Sequence, residues 1–117
     1  MTPIQHDELV AALTKPGVDI LNSLTPIDTH LIHMVLGISG EAGELLDTIK
    51  KTTVYSKPLD RENIIEELGD LEFYMQGLRA ALDITREETI EQNIKKLTIR
   101  YGKVYSNQAA IQRADKT

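Results

Sequence analysis

From Leu31 to Ile49, apolar side chains recur as Leu31, Val35, Ile38, Ala42, Leu45 and Ile49, in alternating steps of four and three. With 3.6 residues per turn these positions fall on one stripe of a helix, the kind of seam by which bundle helices pack. The rhythm returns in Ile64, Leu68, Leu71, Met75, Leu78 and Leu82, and more briefly in Ile90, Ile94, Leu97 and Tyr101. The flanking residues set the ends. Thr25-Pro26 starts the first of these helices, and Lys50 and Lys51 near its C-terminus suit the negative end of the helix dipole. The stretch 52–59, with Pro58, is a loop, and Asp60 caps the next helix. After a turn at Asp83-Ile84, Thr85 with Glu88 forms a capping-box pattern, and Gly102 ends the last helix. Ahead of all three, Thr2-Pro3 opens a helix with Ile4, Leu9 and Leu13 on a loose apolar face, ended by Lys15-Pro16-Gly17. The short apolar piece 18–24 has no clear form. Residues from Lys103 onward read as an extended tail packed on a neighbour. The expected fold is all-α: a single domain, 1–117, with four main helices as antiparallel neighbours in a four-helix-type bundle, core about 26–102 and tail 103–117.

Composition narrows the possibilities. With 41% hydrophobic residues but one Phe, four Tyr and no Trp, the core must rest on aliphatic side chains. The absence of cysteine excludes disulfides and thiolate metal sites and fits a reducing cytoplasm. A net charge of −5 argues against nucleic acid as a partner. No apolar run approaches the ~20 residues of a membrane span and no signal-peptide layout opens the chain, so a soluble cytoplasmic protein is expected.

The chemistry is concentrated in Gly40-Glu41-Ala42-Gly43-Glu44 and Glu66-Glu67-Leu68-Gly69-Asp70. Each holds two carboxylates three residues apart, hence on one helix face. At ~100° per residue, Glu41 and Glu44 lie on one flank of their seam, and Glu67 and Asp70 on the same-signed flank of theirs. Antiparallel helices with facing seams present those flanks on the same side, and both motifs lie about two turns from the connecting loop. The four carboxylates are therefore expected to converge into a hard oxygen site for Mg²⁺ or Mn²⁺, shared with a substrate's phosphates. Either pair alone reads as a solvated face, but matched pairs of uncompensated carboxylates are costly without a cation. Glu66 points away, and Glu72 lies on the opposite flank. Gly37, Gly40 and Gly43 each cost about 1 kcal/mol relative to Ala within a helix, which suits either close helix packing or room for a ligand. His30, His33 and Lys51 share the stripe of Glu41 and Glu44, the histidines as packing or pocket wall rather than ligands. Asn93, Lys96 and Arg100 form a row of donors beside their seam, suited to a polyphosphate or to an ordinary exposed face.

The stretch 36–51, the Glu66–Asp70 motif with Tyr74, and Asn93-Ile-Lys-Lys-Leu97 with Arg100-Tyr101 together resemble the MazG-type all-α nucleoside triphosphate pyrophosphohydrolases, whose Glu-x-x-Glu and Glu-x-x-Asp signature is met by Glu41, Glu44, Glu67 and Asp70. The loop 55–60 with Asn63, and His33 ahead of the glycines, are similar to the short single-domain members of bacteria and phages. The resemblance implies attack of water on the α-phosphorus of a (deoxy)nucleoside triphosphate, releasing monophosphate and pyrophosphate. It further implies Mg²⁺ held by the four carboxylates, phosphates held by Asn93, Lys96, Arg100 and Lys51, and assembly as a homodimer or homotetramer.

Glu72 stands where the family has an apolar or aromatic residue, Phe73 replaces a common Trp, and the usual proline after Arg-Tyr is missing. Guanine, cytosine and uracil nucleotides all remain candidate substrates. Two other readings stay open: an enzyme acting on phosphoribosyl-ATP, and a non-catalytic helical oligomer whose acidic patch binds a basic partner.

Overall fold

The computed structural model describes residues 1–102 and 106–113, and among them every element is helical. The helices are α1 (Pro3–Leu13), α2 (Gly17–Ser23), α3 (Pro26–Thr53), α4 (Arg61–Ala81), α5 (Arg86–Tyr101) and α6 (Asn107–Gln112). Local chemistry sets their starts. Thr2, Thr25 and Thr85 each accept the N3 backbone N–H, while the N3 side chains Gln5, Asp28 and Glu88 reach back to the cap residue. Asp60 caps α4 by accepting from the Asn63 N–H. Gly102, at φ +67, supplies the positive φ that ends α5. The unassigned piece is α2, and the tail is corrected as well. Ser106 accepts the Ala109 N–H and starts α6 within it, whereas 103–105 and 114–117 of that tail lie outside the described residues.

The packed unit is the antiparallel hairpin of α3 and α4, and its register is regular. Thr48 accepts a hydrogen bond from the Asn63 amide. Glu44 and Glu41 bear on Glu67, Asp70 joins Glu41 and Glu67, Gly37 lies against the Tyr74 ring, and Gly77 against the Met34 sulfur. Along α3, Thr48, Glu44, Glu41, Gly37 and Met34 descend in steps of four and three, and Asn63, Glu67, Asp70, Tyr74 and Gly77 climb α4 in the same steps. Gly37 and Gly77 set the closest approach: a Cβ at either would run into the side chain facing it.

This line is not the apolar seam that the periodicity predicts. Among the described residues the only buried apolar residue is Met34, and the other buried residues are Thr48 and Glu67. Val35, Ala42, Ile49, Leu68 and Leu82, all on the predicted seams, are exposed. The cause is geometric. The apolar stripe of each helix is broader than one contact line, and the two glycines draw the helices together along its polar flank. Leu31, Ile38, Leu45, Ile64, Leu71, Met75 and Leu78 of the predicted seams stay half-buried beside that line, while the far side of the stripe faces outward.

One chain therefore leaves much apolar surface uncovered. It exposes 9467 Å², against about 6,400 Å² for a compact protein of this mass. Its radius of gyration is 20.0 Å, against about 13 Å for a compact domain of this length. α5 packs with α6, not along the hairpin. Its N-terminal end approaches the hairpin through Ile84 and Thr89, around an apolar cavity of about 330 Å³ that Ile38, Met75 and Leu82 also line.

Candidate metal centre

The hairpin register brings Glu41, Glu67 and Asp70 together, with Glu44 beside them. Ligand oxygens of Glu41, Glu67 and Asp70 all lie within 4.8 Å of one another. Glu44, one turn nearer the loop, bears on Glu67 and lines the adjoining groove with it. Glu67 is the centre of the group. The residue is only 7% exposed, and no hydrogen-bond donor reaches its Oε2 or the Oε2 of Glu41. Buried carboxylate oxygens without donors are strongly unfavourable.

The electrostatics agree. The Glu67 carboxyl is pushed up to about 7. The largest cause is the Glu41 side chain, with which it shares a hydrogen bond when protonated; burial comes next, and then Glu44. Each cause disfavours the ionised form, and a divalent cation reverses them all by giving the oxygens a positive partner. Carboxylate oxygens from facing helices, two of them buried without donors, suit a hard cation such as Mg²⁺ or Mn²⁺.

A groove of about 370 Å³ runs from these carboxylates toward the 54–60 linker, lined by Gly40, Gly43, Glu44, Thr48, Lys51 and Glu67 among others. A Cβ at Gly40 or Gly43 would meet nothing within 4 Å, so these two glycines leave open space while Gly37 serves close packing. Lys51 stands at the groove wall, paired at 3.3 Å with Asp47. Thr48 donates to the Glu44 carbonyl at 3.1 Å and accepts from Asn63, tying the two helices together beside the carboxylates. On the opposite side of the carboxylates, His33 meets the Tyr74 ring edge-on, with centroids 6.1 Å apart.

Other residues singled out in the sequence lie elsewhere. Glu66 and His30 are exposed and outside the cluster. Glu72 pairs with Arg79 at 3.7 Å. Asn93, Lys96 and Arg100 ride on α5, which does not lie along the hairpin, and none of them lines the groove. In one chain they are apart from the carboxylates. Sequence reasoning gave no role to Thr48 and Asp47 and quoted Asn63 only for likeness. Thr48 lies four residues after Glu44 and Asn63 four before Glu67, so the acidic stripes themselves, carried one turn further, find two of the three.

Neither any curated protein nor any solved structure gives a significant match to this chain. The family model described as the MazG nucleotide pyrophosphohydrolase domain matches residues 30–105, a span that takes in most of α3, all of α4 and α5, and Glu41, Glu44, Glu67 and Asp70. The chain belongs to the MazG nucleotide pyrophosphohydrolase domain family.

Proposed function

We propose that this protein is a divalent-metal-dependent pyrophosphohydrolase of nucleoside or deoxynucleoside triphosphates, working as a homodimer or homotetramer. The observation that carries the reading is the pair of donor-less buried oxygens, Glu41 Oε2 and Glu67 Oε2, on carboxylates that meet across the hairpin beside Asp70. An acidic surface made for a basic protein partner has no reason to bury its carboxylates without donors.

In this reading Glu41, Glu44, Glu67 and Asp70 hold Mg²⁺, with Mn²⁺ as a substitute. When bound, the metal neutralises phosphate charge and acidifies a coordinated water. Glu41 or Glu44 accepts the proton of the attacking water; that Glu44 is exposed and borders the groove supports Glu44. The water oxygen bonds to the α-phosphorus while the bond from that phosphorus to the bridging oxygen breaks, and pyrophosphate leaves. Lys51 lies along the groove to offset phosphate charge, and His33 with Tyr74 walls the opposite end. Asn93, Lys96 and Arg100 supply phosphate contacts from another copy, whose approach also covers the outward apolar stripe.

The test is product analysis. The common NTPs and dNTPs, each incubated with Mg²⁺ or Mn²⁺ and separated by chromatography, should give monophosphate and pyrophosphate, and the best substrate identifies the base. Diphosphate with orthophosphate, or no cleavage of any nucleotide, would overturn the reading.

A further inference from the structure

We propose that the loop end of the groove seats the distal phosphates of the substrate, those that leave as pyrophosphate, and that Lys57 is a binding residue for them. The inference rests on the pyrophosphohydrolase reading and adds the direction in which the substrate lies. The groove beside the carboxylates continues into a second cavity of about 210 Å³, lined by Thr48, Lys51, Lys57, Pro58, Asp60 and Asn63. Thr48, Lys51 and Asn63 line both, so the two adjoin. The chemistry differs between them: Glu44, Asp47 and Glu67 line only the first, Lys57 and Asp60 only the second, and Lys51 both.

Lys57 is placed by the backbone. Ser56 takes a left-handed conformation, φ +55, uncommon for a residue other than glycine and concentrated at functional sites. That turn brings the Lys57 N–H to the Lys51 carbonyl at 3.0 Å, fixing the base of the side chain to the end of α3. The charges are disposed for an anion. Lys51 is already paired with Asp47, but among the described residues no carboxylate pairs with Lys57. The one carboxylate lining this cavity, Asp60, accepts the Asn63 N–H as the cap of α4. The neutral Thr48–Asn63 hydrogen bond lies between the two ends. Neither cavity is lined by an aromatic ring, whereas His33 and Tyr74 meet on the other side of the carboxylates. The order along the hairpin is thus aromatic, acidic, basic, which matches base, reacting phosphorus and leaving pyrophosphate.

Calorimetric titration of the full chain with inorganic pyrophosphate, and separately with nucleoside monophosphates, both with Mg²⁺, tests this. Lys57→Gln should weaken pyrophosphate binding about tenfold, the effect of one charge-assisted contact, and leave monophosphate binding unchanged; Lys57→Arg should bind pyrophosphate as the parent does. Pyrophosphate binding unaltered by Lys57→Gln, loss of monophosphate binding instead, or no pyrophosphate binding by the parent protein would overturn the assignment. These titrations need no turnover, so their failure is distinct from that of the pyrophosphohydrolase reading, which falls when no triphosphate is cleaved.

Discussion

The interior of the α3–α4 hairpin and its outer face exchange the roles that a folding argument assigns them. The inside carries Glu41, Glu67, Thr48 and Asn63, with two carboxylate oxygens that lack donors. The outside carries Leu46, Ile65 and Phe73, each more than half exposed. A chain optimised to fold alone would hide the second set and expose the first, since burial contributes about 25 cal/mol per Å² of apolar surface and a buried charge is costly. In the function proposed above, each half of the inversion is relieved from outside the chain, by a cation in the seam and by a second copy on the face.

The sharpest way to break the comparison is to alter the seam chemically without altering its shape. Asp70→Asn or Glu44→Gln should lower kcat/KM by more than about a hundredfold, because even outer-shell partners of a metal cost 10–100-fold, while the helical circular dichroism stays unchanged. Activity near that of the parent protein would remove the residue concerned from the metal site.

The outer face is tested by charge. Phe73→Glu or Leu46→Glu should dissociate the assembly, with a loss of about ten- to a hundredfold in association constant for each large apolar side chain kept from burial. Light scattering across a concentration series reads this directly. A parent protein that is monomeric at micromolar concentration would remove the second half of the comparison. Smaller effects sharpen the seam's geometry. Gly37→Ala puts a methyl into the Tyr74 ring and should destabilise by about 1–3 kcal/mol in thermal or urea unfolding. Gly43→Ala meets open space and should stabilise by up to about 1 kcal/mol through helix propensity alone.

The sequence makes the helices and the acidic cluster legible for the same reason. Caps such as Thr25 with Asp28, Asp60, and Thr85 with Glu88 act over three residues, so local order is written locally. The convergence of Glu41, Glu44, Glu67 and Asp70 needs only helical period and an antiparallel partner. What was not legible is which line of a wide apolar stripe becomes the contact. Gly37 against Tyr74 and Gly77 against Met34 decide it, and nothing in the spacing of Val35, Ala42 and Ile49 reveals that they turn outward. The position of Asn93, Lys96 and Arg100 is likewise hidden, because a helix phase says which residues share a face and not which chain that face meets. Lys57 is hidden differently: a left-handed Ser56 aims it, and a loop conformation has no period.

The central claim, that the seam is built for a cation and not for the stability of the bare chain, is tested most directly by the stability of Glu67→Gln against pH and metal. The Glu67 carboxyl sits at about 7 in the fold, above its ordinary 4.5. The fold therefore favours the protonated form. That contribution is fully present below pH 4.5 and is lost as pH rises through 7. Metal affinity rises over the same range, since the cation competes with the proton. In metal-free buffer at pH 8 Glu67→Gln should melt higher than the parent protein. Adding Mg²⁺ or Mn²⁺ should raise the melting temperature of the parent and leave that of the variant unmoved. A variant that melts lower than the parent without metal, or that gains as much from the cation, would contradict the account.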